Sequence, residues 1–369
     1  MKRMMVWTML FATLLTGCAS APGSTGIQLD TRPTVEDIFT QPPTTAVTDP
    51  STATQPGTEA TEPTNPPSME LGGMSFGPTS PSERDEKGRY RVYEGGQMYL
   101  PFNIKSSGLM STYDVGVLLF VDGVAQPYRV GPDGEYAYLH TFSQEAGSLV
   151  QGQLVTSAEL YFTPVTGEAG QMLEIYAVAM PNPHWVPSET MVPFSNTSGA
   201  IVWESRLKFS ATPPTDTYPE KSPRLLGVSA WTEDCTAADV KDWSDYDMIT
   251  DIRTKFTANG ETSHLYGVRE DTPITLRYEI WGSPYVHYGL VFFVDNVPVY
   301  AADLSDIWVT VQMGQKTIVE VTLNMAGFAG ESLVYAMLVP LNHFTSEIET
   351  RAYFKESTTI FLLGHEKGT

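Results

Sequence analysis

Apolar positions in this chain come in short runs of β-branched, aromatic and leucyl residues, cut off by Gly, Pro, Asn and Asp. In the first half of the folded part they fall at 74–76, 90–93, 98–104, 115–121, 124–130, 136–142, 154–162, 173–180 and 201–209. No long helical periodicity lies between them, so the pattern predicts strands. Two runs are nearly the same: GVLLFVDGV at 116–124 and GLVFFVDNV at 289–297. Each stops at Asp-Gly or Asp-Asn and resumes at once with Val, which predicts a hairpin. A two-residue type I′ turn needs positive φ at both central positions, and these residue pairs tolerate it.

The likeness extends to both sides of the hairpin. Val92-Tyr93-Glu94 leading to Met98, Leu100, Phe102 and Ile104 matches Val268-Arg269-Glu270 leading to Ile274, Leu276, Tyr278 and Ile280. Gly167-Glu168-Ala169-Gly170 ahead of Tyr176-Ala177 matches Gly327-Phe328-Ala329-Gly330 ahead of Tyr335-Ala336, with a one-residue slip. Blocks in one order, about 160 to 175 positions apart, predict a duplicated domain rather than a solenoid. The fold class expected is all-β: two tandem immunoglobulin-like β-sandwich modules at 71–210 and 225–366, joined by a Pro-rich linker at 211–224. The likeness to immunoglobulin domains is architectural, since their Cys-Trp-Cys pattern is absent. The run 117–121 is apolar on both faces, so its outer face must be covered, and packing against the other module is the expected cover.

The second module differs near its start. Leu225-Leu226-Gly227-Val228-Ser229 echoes Leu71-Gly72-Gly73-Met74-Ser75, after which an acidic insertion at about 232–254 delays the next block. Thr236 three residues before Asp239, with Val240 and Trp243 behind, predicts one short capped helix. Asp242, Asp245, Asp247 and Asp251 in this insertion are carboxylates of the kind a hard cation takes, and so candidates for a weak Ca²⁺ site. They match no EF-hand loop: counted from Asp245, the sixth and twelfth positions are Thr250 and Phe256. A solvated acidic connector is the better reading of them.

Residues 1–17 read as a signal peptide, with Lys2 and Arg3 ahead of an apolar stretch at 4–14 too short to span a bilayer. Leu15-Thr16-Gly17-Cys18 follows and resembles the bacterial lipobox. That resemblance implies diacylglyceryl transfer to Cys18, cleavage before it, and a membrane anchor on the extracytoplasmic face. Residues 18–70 beyond it are dominated by Thr, Pro, Ser, Ala and Gly. Such a stretch buries too little apolar surface to offset its ordering entropy and predicts a disordered stalk reaching at most ~150 Å.

Charge narrows the partners. Cleavage removes Lys2 and Arg3 and no acid, so a formal −21 becomes −23. A surface this acidic repels nucleic acid and anionic headgroups, leaving the lipid as the membrane contact and cell-wall polysaccharide or an envelope protein as expected partners. With Cys18 acylated, Cys235 has no disulfide partner in the chain.

Candidate chemistry is sparse. Both modules carry Pro, two residues, His, then an aromatic after a matching strand, which makes His184, Trp185, His343 and Phe344 candidate ligand contacts at one end of each sandwich. The same residues could plug the open end of the core. No Gly-x-Ser-x-Gly elbow, phosphate loop or histidine metal spacing occurs. The reading is a non-catalytic surface lipoprotein, without a cofactor, for binding, adhesion or envelope organisation. Two alternatives stand beside it: an envelope hydrolase using a carboxylate pair on carbohydrate, and the solute-binding lipoprotein of an importer.

Overall fold

The computed structural model describes residues 72–79, 91–185, 199–214, 224–241, 252–262, 265–269, 272–282, 286–299, 308–311, 314–326, 330–341, 355–357 and 360–364. All belong to one unit, residues 65–369. The predicted lipidation site Cys18, the stalk, the four aspartates 242, 245, 247 and 251, and His343 with Phe344 lie outside the described residues.

The first half forms β1 Met74–Pro78, β2 Arg91–Tyr93, β3 Met98–Ser106, β4 Val115–Val121, β5 Val124–Ala125, β6 Arg129–Val130, β7 Leu139–Phe142, β8 Ser148–Val150, β9 Gln153–Phe162, β10 Met172–Pro181 and β11 Ile201–Phe209. They build two sheets, one in the order β1-β3-β9-β6 and one in the order β2-β11-β10-β4-β5. Along β3 the residues Met98, Leu100, Phe102 and Ile104 point inward and are buried while Lys105 points out, the period-2 pattern of a strand with one wet face. They meet Val117, Leu119, Ile175 and Ala177 of the opposite sheet in one apolar core, so the pair of sheets is a sandwich.

The second half repeats this with β12 Leu225–Asp234, β13 Ile252–Ala258, β14 Leu265–Val268, β15 Ile274–Gly282, β16 Val286–Val294, β17 Val297–Val299, β18 Trp308–Val311, β19 Gln315–Leu323, β20 Glu331–Leu341, β21 Lys355–Glu356 and β22 Ile360–Gly364. Its sheets run β12-β19-β15-β13 and β14-β22-β20-β16-β17. Each half contains one parallel pair, β2 with β11 and β14 with β22, in equivalent places. The fold is all-β, with immunoglobulin-like sandwiches.

The repeated hairpins form as predicted. Asp122 and Gly123 have φ of 49° and 76°, and Asp295 and Asn296 have 51° and 63°. The ladder also resolves the one-residue slip, because Phe120 pairs with Tyr176 and Phe293 pairs with Tyr335. Tyr176 and Tyr335 are therefore equivalent.

Three expectations are corrected. The run at 124–130 is two strands in different sheets, because the chain crosses between them at Gln126-Pro127. Buried Gln126 holds that crossing by donating to the Val124 carbonyl and accepting from the Val165 N–H, both at 2.8 Å. The echo between 225–229 and 71–75 is not structural. β1 pairs with β3 and its true counterpart β13 pairs with β15, whereas β12 is an added strand on β19, on the side where β6 joins β9. The helix expected after Thr236 is a turn in the described residues up to Lys241. Its capping bonds do form, with the Thr236 N–H donating to Asp239 Oδ2 at 2.8 Å. However, the carbonyls of Asp239 and Lys241 accept from Trp281 Nε1 at 2.9 Å and from Arg253 at 3.2 Å. Those strand side chains take the acceptors that a helix would offer to its own amides four residues on.

The two sandwiches pack through the outer faces of their hairpin sheets. On β4 and β10 every second residue turns away from the first core, and Leu118, Phe120, Tyr176, Val178 and Met180 meet Val291, Phe293, Tyr335, Met337 and Val339 of β16 and β20. All are essentially buried. This is why the run at 117–121 lacks alternation: one face belongs to its own core and the other to the partner module. Full burial of each such side chain contributes roughly 1.5–3 kcal/mol relative to exposure.

The contact is a pseudo-two-fold. Phe120 meets its own equivalent, Phe293, edge to face with ring centroids 6.2 Å apart. The first hairpin turn sits on the start of β16, where a Cβ on Gly289 would lie 2.8 Å from the Gly123 Cα. Reciprocally, Asn296 of the second turn reaches the Pro183 carbonyl at 3.5 Å, and Pro183 lies over Gly116, the counterpart of Gly289. Equivalent residues exchanging places across an axis is the signature of an isologous interface, here within one chain.

Candidate functional site

Strand β10 ends at Pro181, and Asn182 turns the chain with φ of 51°. The Asn182 N–H donates to the Asp114 carbonyl at 2.8 Å, and its own carbonyl accepts from the Trp185 N–H at 3.0 Å. This tight turn fixes the two predicted neighbours in opposite settings. His184 is exposed and its Nε2 lies 3.2 Å from the Thr141 hydroxyl on β7. Trp185 is 5 % exposed and packs on Leu333 of the second sandwich. Its ring is spent between modules and presents no face to solvent.

His184, Asn182 and Pro183 form one wall of a polar cleft of about 420 Å³. The other walls are 111–114, leading into β4, and 143–145, leading into β8, so three loops meet at this end of the sandwich. Gln144 stands at its floor, 1 % exposed, with its carbonyl oxygen accepting from the Ser106 hydroxyl at 2.7 Å. The Gln144 amide nitrogen is buried without an acceptor among the described residues. A buried, unsatisfied donor of this kind costs roughly 1–3 kcal/mol, which a hydrogen-bonding guest would recover. Asp114 and Glu145 also line the cleft and give it acidic walls.

The start of the acidic insertion is locked into the outer sheet of the second sandwich. Lys316 on β19 lies 3.2 Å from Asp239 and 3.3 Å from Glu279, and Arg277 joins Glu279 at 2.9 Å and Glu320 at 3.3 Å. The Thr236 backbone N–H, helped by Thr236 Oγ1 and Lys316, holds the Asp239 carboxyl below its ordinary value against the opposing effect of burial. Burial alone would lower the Lys316 ammonium, but Asp239 and Glu279 outweigh it and leave it above its usual value. Burial, then the Asp239 charge, pushes the Cys235 thiol up, which makes it a poor nucleophile. Among the described residues no three His, Cys, Asp or Glu side chains gather as a metal site would require.

A second opening lies between the sandwiches. A groove of about 230 Å³ is lined by Asp122 of the first hairpin turn, 165–168, Gln171, the linker residues 212–214, and Trp308 at the start of β18. Trp308 is 49 % exposed. No local pattern marks this groove, because Trp308 joins the residues of the first module and the linker only through the pseudo-two-fold.

No protein-family model matches the chain, and no curated protein matches it in sequence. Among solved structures it is similar to fibronectin(III)-like modules of Clostridium thermocellum CbhA, at 9% identity over 80% of this chain and 100% of that one, with a TM-score of 0.19. It is similar to the Salmonella enterica SafA pilin in complex with the SafB chaperone, at 13% identity over 80% and 97%, TM-score 0.21. A third is the N-terminal Ig1-2 module of Drosophila Receptor Protein Tyrosine Phosphatase DLAR, at 10% identity over 75% and 95%, TM-score 0.18. Likeness this distant carries no argument about function. No helix of the described residues is long and apolar enough to cross a membrane.

Proposed function

We propose that this chain is a lipid-anchored envelope protein that binds a polar partner without catalysis. The lipobox at Cys18 and the Thr/Pro stalk support anchorage on the extracytoplasmic face. The observation that carries the binding reading is the three-loop cleft beside His184. It combines hydroxyls, an acidic wall and one buried amide donor awaiting an acceptor, which fits a polyhydroxylated or peptide surface of the envelope.

The test uses the processed full chain on purified cell wall, polysaccharides and envelope proteins. His184→Ala and Glu145→Gln are expected to weaken capture by about tenfold with an unchanged melting temperature. Trp185→Ala is the wrong probe, because it opens the module contact. Capture that both cleft variants leave intact would refute the cleft as the site, and capture lost on chelation would transfer the role to Asp242, Asp245, Asp247 and Asp251. Hydrolysis of the captured glycan that Asp114→Asn abolishes would replace the binding reading with the hydrolase. Radiolabelled palmitate should label the wild-type chain but not Cys18→Ser.

A further inference from the structure

The pseudo-two-fold relates two hairpin-turn aspartates whose surroundings differ. Asp295 is satisfied within its own module: its carboxylate accepts from the Ser332 hydroxyl at 2.7 Å and from the Leu333 N–H at 3.0 Å. Trp185 then covers Leu333. The backbone N–H of Asp295 donates to the Leu333 carbonyl, and that of Asp122 donates to the Glu174 carbonyl, so Leu173 stands where Ser332 stands. Leu173 has no hydroxyl to give. Among the described residues nothing hydrogen-bonds or ion-pairs with the Asp122 carboxylate. It is half-buried, and desolvation raises its carboxyl above the ordinary value.

Trp308 shares the groove with this carboxylate. It pairs with Gly289 in the β16–β18 ladder, just as Thr141 pairs with Gly116 in the first module, so an indole replaces a hydroxyl at the equivalent position. Its N–H has no acceptor among the described residues. Gln171 uses its side-chain carbonyl to accept from the Glu168 N–H at 2.8 Å, which leaves its amide hydrogens for a guest. The groove therefore offers a flat apolar face, acceptors on Asp122 and donors on Trp308, Gln171 and Thr166.

We propose that this groove is a carbohydrate subsite, in which one sugar ring stacks its apolar face on Trp308 and donates a hydroxyl hydrogen bond to Asp122. A ring hydroxyl both donates and accepts, and so matches the mixed lining, whereas an ammonium would want acceptors alone and more than one aromatic face. A sugar hydroxyl also gives the half-buried carboxylate the donor its module withholds. The inference rests on the chain being a binding protein but not on the cleft at His184.

The processed full chain is titrated by saturation-transfer NMR with cello-, xylo-, manno- and chito-oligosaccharides and with purified glycan strands of cell wall. At least one is expected to bind, and Trp308→Ala and Asp122→Asn should each weaken it by about tenfold or more. Asparagine keeps the positive-φ turn, and Trp308 is half-exposed, so melting temperatures should not move. Measured in a His184→Ala background, which removes any share of the cleft, the loss caused by Trp308→Ala should persist, and this separates the groove from the cleft. No binding to any probe at about 10 mM, binding indifferent to both groove variants, or capture of tetramethylammonium in place of sugars would overturn the proposal.

Discussion

Gly289 and Gly123 show how little space separates the modules. A methyl on Gly289 would meet backbone atoms of Gly123 at 2.8 and 3.0 Å, and neither can rotate away. Gly123 is held at φ +76°, and its methyl would also meet Leu341 at 2.8 Å. Gly289→Ala and Gly123→Ala are each expected to destabilise by about 1–3 kcal/mol in urea unfolding. Gly96→Ala is the control: its φ of +71° is similar, but its Cβ would meet open space, so it should cost only about 1–2 kcal/mol from the backbone. Residue-level electrostatics predict a pH response as well. Asp239 is depressed below its ordinary 3.8, so its contribution is full above that value and is lost as pH falls through the lower folded one. Lys316 is raised above 10.5, so its contribution is full below 10.5 and is lost as pH rises through the higher folded value. Asp239→Asn should flatten the acid limb of a stability profile and leave the neutral region lower.

At the scale of elements, the central strands of the two hairpin sheets define the molecule. They serve two cores at once, with odd and even positions assigned to different partners. Phe120→Ala and Phe293→Ala are each expected to cost about 3–5 kcal/mol, and a double-mutant cycle between them should return a coupling of about 0.5–1.5 kcal/mol for the edge-to-face pair. Zero coupling would mean that the rings do not meet in solution. The added strand β12 is not legible as an addition, because its sequence at 225–229 echoes the wrong part of the repeat. No strand is predicted where β8 forms. Its residues Leu149 and Val150 are largely exposed, and the Gln151-Gly152 turn is a weaker signal than Asp-Gly.

At the scale of the whole molecule, burial between the sandwiches should make them unfold together. Calorimetry of the full chain is expected to give one cooperative transition. Phe293→Asp, which places a charge in the dry contact, should cost at least about 3 kcal/mol of coupling and divide the transition in two. Two transitions in the wild type would contradict the coupling. The half-covered groove at Asp122 is a property of this same scale, since its walls come from the hairpin of one module, the linker, and β18 of the other.

The sequence by itself determined the all-β character, the hairpin turns and the duplication, because period, turn residues and repeated blocks are local properties of the chain. It also required a cover for the run at 117–121, since two dry faces cannot both look at water. The tertiary structure decided what no local pattern records: that the cover is the equivalent surface of the second copy, met about a pseudo-two-fold. It likewise decided that His184 and Trp185, neighbours in sequence, divide between a solvent-facing cleft and a buried contact. A turn at Asn182 sends one ring toward Thr141 and the other toward Leu333, and which of them touches water depends on where the second sandwich sits.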